Sequence, residues 1–294
     1  MGQSRDRRGR FGRTREQEGA SVSLPPATDQ FGLLASDLSR WMDEFGADEE
    51  QIRHDYAISH ALAAMSAHSD RFIFFGGTAL SRTVLDGLRL SEDIDLLSVG
   101  PRREAAAMLD EALRSGLERR FGRIQATPSL YEVRRSTDAC VYRIGDSGVQ
   151  IQLINGVEYA RWPTTTSTII QRYLGMDDLR LTTFAPAGFV GAKTAAWCDT
   201  TRNAPRDLYD LWALAERGHV NADAAEVFRK CGPTSSYPAS WLLPKKPPSQ
   251  NEWWDKLGHQ GRVRVDPDQA FEVVQDAWAV ATSEAERLRR GDPR

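Results

Sequence analysis

Apolar residues recur at helical spacing in two stretches near the start of the chain. Over residues 31–45, Leu33, Leu34, Leu38, Trp41 and Met42 fall on one face; over 52–67, Tyr56, Ile58, Ala61, Leu62 and Met65 do the same. The period then changes. Residues 71–75 form a short run of Phe and Ile that reads as a strand and stops at Gly76-Gly77; a short helix through Leu80 and Val84 follows, then a second strand over 94–99. Pro101 at a first helical position predicts a helix over 102–119, with Ala106, Met108, Leu109 and Leu113 turned inward. Two alternating runs, 139–144 and 149–154, flank Gly145-Asp146-Ser147-Gly148 and predict a hairpin. From about residue 165 the pattern is mostly helical, with helices expected over 186–198, 205–217 and 267–290. Residues 231–265 carry Pro238, Pro244, Pro247 and Pro248 with Trp241, Trp253 and Trp254, show no period, and read as an irregular excursion.

These elements predict an α/β protein: a small mixed sheet with helices in a catalytic lobe over 29–165, and a mainly helical lobe over 166–294. The net charge of −3 over 294 residues argues against a protein that coats nucleic acid along its whole surface. Residues 1–28 differ from the rest. Arg5, Arg7, Arg8, Arg10, Arg13 and Arg15 stand there among Gly, Ser and Gln with little to pack, which predicts a disordered basic arm. No run approaches the roughly 20 apolar residues of a membrane helix, and no signal-peptide core follows the start, so a cytoplasmic protein is expected. Cys140, Cys198 and Cys231 are widely spaced and suggest neither a disulfide framework nor a zinc site. The five histidines show no metal-ligand spacing.

Candidate chemistry concentrates around the glycine pair. Side chains alternate along a strand, so Asp93 and Asp95 face the same way, and two carboxylates held side by side repel unless a cation neutralises them. Aspartate is disfavoured inside strands, and metal coordination gives these two a reason to be there. Gly76 and Gly77 let backbone pass close to a ligand, and the helix beginning near Thr78 offers unpaired N–H groups to a phosphate, with the Thr78 hydroxyl as a further donor. Glu92 points to the opposite face from the aspartates and reads as structural.

Gly76-Gly77-Thr78-Ala79-Leu80, then Arg89, then Ser91-Glu92-Asp93-Ile94-Asp95-Leu96 resembles the AbiEii/AbiGii toxin family within the DNA polymerase β-like nucleotidyltransferase superfamily. A second signature of that family, a helical lysine followed by Arg-Asp-x-x-Asp-Leu, is matched by Lys193 and by Arg206-Asp207-Leu208-Tyr209-Asp210-Leu211. The resemblance implies a bilobed fold in which Lys193 and Asp207 reach the cleft from the C-terminal lobe. It further implies Mg²⁺ on Asp93 and Asp95, an NTP held by Gly76, Gly77, Thr78, Arg89, Ser91 and Lys193, and Asp93, Asp95, Lys193 and Asp207 as catalytic residues. The acceptor it implies is the 3′ end of tRNA, as in the mycobacterial members that modify tRNA. The outcome would be blocked aminoacylation and translation by a toxin held in check by a separately encoded antitoxin.

Arg89 matches the family position; Arg82 reads equally as a phosphate ligand or a plain surface residue, Asp210 as a supporting or surface residue, and Arg206 as the partner of a carboxylate. The chain departs from the superfamily where a third carboxylate is expected on a neighbouring strand: Val149-Gln150-Ile151-Gln152-Leu153 offers glutamine, with Glu158 a possible substitute. Three readings remain open: transfer to tRNA, transfer to a protein hydroxyl or small molecule, and a binding module without turnover.

Overall fold

The computed structural model describes residues 27–135, 137–159, 161–199, 205–238 and 241–291. The expected basic arm therefore lies almost entirely outside the described residues; its last two, Ala27 and Thr28, pair with Leu34 and Ala35.

Helix α1 (Ala35–Phe45) ends at Gly46, whose left-handed conformation closes it, and α2 (Glu49–Met65) starts where the Asp48 side chain accepts from the Gln51 N–H. Strand β1 (Phe72–Phe75) runs into a short helix, α3 (Gly76–Ser81), and returns as β2 (Asp93–Ser98). Helix α4 (Arg102–Phe121) follows, then β3 (Gln125–Ala126), β4 (Cys140–Ile144) and β5 (Ser147–Ile154), the last two forming the expected hairpin. These elements lie within a few residues of their predicted places.

The sheet is larger than the sequence suggests. Strands β6 (Thr164–Ile169) and β7 (Leu179–Phe184) form an antiparallel hairpin in a stretch expected to be helical. The full order is β3-β4-β5-β2-β1-β7-β6, seven strands, with β1–β2 antiparallel and β2–β5 and β1–β7 parallel. The boundary expected near 165 thus falls inside a strand that belongs to the same sheet.

On one face of β2, Ile94 and Leu96 are fully buried, each worth about 1.5–3 kcal/mol. Helix α2 packs on β5 and on α4. A buried ionic knot fastens the far end of this layer. The Asp55 carboxylate on α2 accepts from Arg82 at 2.7 Å, Arg172 at 3.1 Å and the Tyr173 hydroxyl at 3.0 Å. Burial alone would raise the Asp55 pKa, but the two guanidiniums and the phenol outweigh it and hold the carboxyl below its usual range. Arg82, at 0% exposure, is neither a surface residue nor a phosphate ligand: a long cation this deep needs a carboxylate, and Asp55 supplies it.

Beyond β7 come α5 (Pro186–Trp197), α6 (Pro205–Glu216), α7 (Ala222–Cys231), α8 (Gln250–Leu257) and α9 (Pro267–Arg290). Helix α9 packs on α6 and α7, and α8 on α6. Helix α8 lies within the stretch expected to be irregular, opened by a reciprocal Ser249–Glu252 capping box and anchored by buried Trp253 and Leu257. No helix among the described residues is long and apolar enough to cross a membrane.

Candidate active site

The turn from β1 to α3 is shaped by what stands opposite. Phe75 pairs with Asp95 across the antiparallel β1–β2 ladder, so the next residue meets the Asp95 side chain. Gly76 has φ +77°, a conformation that favours glycine, and a Cβ there would overlap the Asp95 carboxylate. Gly77 is tight for a different reason: its Cβ would lie 2.9 Å from Ser91 Oγ and 3.2 Å from Arg89 Nη2.

Asp93 and Asp95 share one face of β2 and line a cleft of about 370 Å³. Gly76 and Phe75 come to it from the turn, Lys193 from α5 and Asp207 from the first turn of α6. Gln150 and Gln152 on β5 complete its polar wall. Residues far apart in sequence therefore meet at one place. In the parallel β2–β5 ladder Asp93 pairs with Gln150 and Asp95 with Gln152, so the position expected to hold a third acid holds an amide. The Gln152 amide donates to the Thr137 carbonyl. Glu158 is exposed and is not part of the cleft wall.

Burial pushes the Asp93 carboxyl above its usual pKa, and Glu92 adds to this, while Arg206 and His54 partly oppose it. A carboxyl that resists charging inside a cleft is a group that gains from a cation. Among the described residues no three His, Cys, Asp or Glu side chains gather into a metal cage. Two hard carboxylates without a cage suit Mg²⁺, which usually takes one or two carboxylates and completes its shell with water and substrate phosphates.

Lys193 is mostly buried and doubly paired, its Nζ 2.8 Å from Asp207 Oδ1 and 2.8 Å from Asp210 Oδ2. Burial alone would lower its pKa, but Asp207 and Asp210 outweigh this and raise it. Asp210 also receives a bidentate fork from Arg89, both bonds 2.8 Å, and Arg89 reaches the Gln260 amide oxygen at 2.8 Å. Two cations and two carboxylates thus balance, Lys193 and Asp207 in the cleft wall and Arg89 and Asp210 behind it. Burial would raise the Asp210 pKa, but Arg89 and Lys193 hold it below the usual range, and Asp210 in turn raises that of Arg89 against its own burial.

This geometry divides the expected nucleotide set. Gly76 and Lys193 line the cleft, whereas Gly77, Thr78, Arg89 and Ser91 lie outside its wall. The Thr78 hydroxyl is used on the Asp93 carbonyl, tying α3 to β2. Arg89 is committed to Asp210, Gln260 and the Leu90 carbonyl, and Ser91 sits buried under Gly77. A buried donor has to find a partner, and for Thr78 and Arg89 the fold itself supplies one. Asp210, expected to be a supporting or surface residue, is 2% exposed and supports Lys193. Its spacing carries that signal, since a residue three positions after Asp207 on a helix shares its face. Gln260 had no such signal. Arg206 pairs with Glu92 at 3.2 Å, as its position suggested.

Fold and cleft together are those of a nucleotidyltransferase. Residues 60–253 match the profile of the nucleotidyl transferase AbiEii toxin of type IV toxin-antitoxin systems. The chain belongs to that family of nucleotidyltransferase toxins. Among solved structures it is similar to MenT4, a nucleotidyltransferase toxin from Mycobacterium tuberculosis H37Rv, with 19% identity and a TM-score of 0.63 over 87% of this chain and 93% of that one. An antigenic nucleotidyltransferase-like protein from Paracoccidioides brasiliensis aligns more loosely, with 14% identity and a TM-score of 0.35 over 58% of this chain and 85% of that one. No curated protein sequence matches the chain.

Proposed function

We propose that the protein transfers a nucleoside monophosphate from an NTP to the 3′ end of tRNA in the cytoplasm, blocking aminoacylation and translation until a separately encoded antitoxin restrains it. The observation that supports this most is the meeting, in one cleft, of the Gly76 turn, the Asp93–Asp95 pair and Lys193. The acceptor hydroxyl forms the new bond to the α-phosphorus as the bond to pyrophosphate breaks, and the work of the site is alignment and charge neutralisation. Asp93 and Asp95 would hold Mg²⁺, which when bound neutralises phosphate charge. Lys193 has three N–H donors, of which Asp207 and Asp210 take two, leaving one by count for the triphosphate. Asp207 fixes the ammonium where it faces the cleft. The segments 29–165 and 166–294 act as the two walls of the site, although the sheet runs across their junction.

One observation favours a second reading, a nucleotide-binding module without turnover: amides at Gln150 and Gln152 stand where a third acid would help to activate the acceptor. The test is purified protein with Mg²⁺, total tRNA and total protein, given each α-labelled NTP in turn, beside an Asp95→Ala control. Label on tRNA that is lost in the control is the expected result. Label on protein, or on a small molecule, would move the acceptor; no NTP turnover under any condition would establish the binding module.

A further inference from the structure

The cleft has walls of two kinds. Asp93, Asp95, Lys193 and Asp207 supply its charge, and much of the remainder is apolar. Strand β5 passes from one kind to the other. Gln150, Gln152 and Ile154 are alternate residues on the face that lines the cleft, and they run from amides paired with the aspartates to an aliphatic side chain. Helix α5 changes in the same way: Phe189 lines the cleft one turn before Lys193, while Ala192 and Ala196, on either side of the lysine, carry nothing beyond Cβ and leave room in front of the helix.

The aromatic part of the wall is one connected cluster. Tyr159 lies against Phe75 with ring centroids 5.3 Å apart and near-parallel to Phe184 at 6.5 Å. Phe184 in turn meets Phe75 at 5.3 Å and the edge of Phe189 at 5.7 Å. The three phenylalanines are buried and belong to the core, whereas Tyr159 is half-buried. Tyr159 is therefore the ring of this cluster that keeps the most surface for the cleft it lines. Packing against Phe75 and Phe184 holds it in place, so a ligand that settles on it need not order it first.

A triphosphate has no use for such a wall. Among the described residues Lys193 is the only lysine or arginine lining the cleft, and phosphate charge belongs there and with a metal on the aspartates. What an NTP also carries is a flat, uncharged heterocycle. Covering apolar surface with it is favourable, and stacking on an aromatic side chain is a way to hold a base that needs no hydrogen bond to its edge.

We propose that Tyr159, backed by Phe75 and Phe184, seats the base of the incoming NTP while the triphosphate reaches Lys193. This rests on the nucleotide reading made above and adds the part of the site that the carboxylates and the lysine do not supply. A stack of this kind gives affinity common to all four bases, since each has a π-face.

The experiment is equilibrium binding, with Mg²⁺ and without tRNA, of each NTP and of inorganic tripolyphosphate to wild type, Tyr159→Ala and Tyr159→Phe, with thermal melting of all three proteins. Tyr159→Ala should raise the Kd for NTP roughly 5- to 150-fold, the range of one base–aromatic stack, and leave the Kd for tripolyphosphate unchanged. Tyr159→Phe, which keeps the ring, should bind NTP as wild type does. Unchanged NTP affinity in folded Tyr159→Ala overturns the proposal. An equal loss for NTP and tripolyphosphate overturns it as well, because the whole cleft is then disturbed. So does a Tyr159→Phe protein as weak as Tyr159→Ala, which would make the hydroxyl the contact. If Tyr159→Ala does not fold, Tyr159→Leu, which keeps bulk and loses the aromatic face, is judged by the same outcomes. Wild type that binds NTP no better than tripolyphosphate sinks the base seat and leaves the phosphate site standing; wild type that binds neither defeats the nucleotide reading itself.

Discussion

Substituting Asp210 by Asn tests whether the charges behind the cleft are a structural fastening. The change keeps the shape and removes the carboxylate that Arg89 and Lys193 share. Lys193 retains Asp207, but Arg89 loses the one carboxylate with which, among the described residues, it forms an ion pair and keeps the Gln260 and Leu90 oxygens. Breaking a buried pair by removing one partner costs about 3–5 kcal/mol. With an unfolding entropy of about 2.1 cal/mol/K per residue, 294 residues give roughly 0.6 kcal/mol/K, so the melting temperature should fall by about 5–8 °C. The assay is thermal and urea unfolding at pH 7, repeated toward acid. Asp210 has a depressed pKa in the folded state, so its contribution is present above the unfolded carboxylate value near 3.9 and is lost as pH falls through the folded one. Wild type should therefore lose stability faster than Asp210→Asn at low pH, and the two should converge. Lys193 acts at the other end, its raised pKa giving stability that is full below about 10.4 and lost as pH rises through the folded value. A loss below about 1 kcal/mol at pH 7, typical of exposed pairs, would refute the reasoning.

Gly77→Val presses a side chain onto Ser91 and Arg89, so overpacking of about 1–3 kcal/mol should lower its melting temperature, and NTP affinity in the protein that remains folded should change little. A rise in NTP KM with unchanged melting would place Gly77 at the phosphates instead. His60 lies edge-on to Tyr56 and Phe121 with its Nε2 unpartnered, and burial, aided by Arg120, depresses its pKa to about 4. Between pH 6.5 and 4 the unfolded chain takes a proton that the native ring refuses, so stability falls with pH by up to about 3 kcal/mol, nearer 2 for a ring that is not fully enclosed. Urea unfolding of His60→Leu at pH 7 and pH 5 should show that slope reduced, and an unchanged slope would exonerate the histidine.

Strands β1 and β2 and the cleft aspartates were legible because each is written locally: an apolar run, a glycine pair, two acids at strand spacing. What the sequence hid was of two kinds. Strand β6 is Thr164-Thr165-Thr166-Ser167-Thr168-Ile169, an edge strand with β-branched residues but almost no apolar alternation, and its neighbour Leu179-Arg180-Leu181 lay in a stretch already read as helical. Helix α8 did carry a readable start, Ser249 followed by Glu252, masked by the prolines before it. The roles of Arg89, Thr78 and Ser91 were hidden differently. A residue beside a glycine turn can point into the cleft or behind it, and which it does is fixed by partners such as Asp210 and Gln260, 121 and 171 positions from Arg89.

That separation bears on how the protein comes into being. Arg89 leaves the ribosome long before Gln260 is joined to the chain, and at about 5–20 residues per second the 171 positions between them take roughly 10–30 s to synthesise. Throughout that interval the backing of the cleft is incomplete, whatever the sheet has achieved. The cell thus holds a growing polypeptide whose cleft has no complete backing until Gln260 has been made.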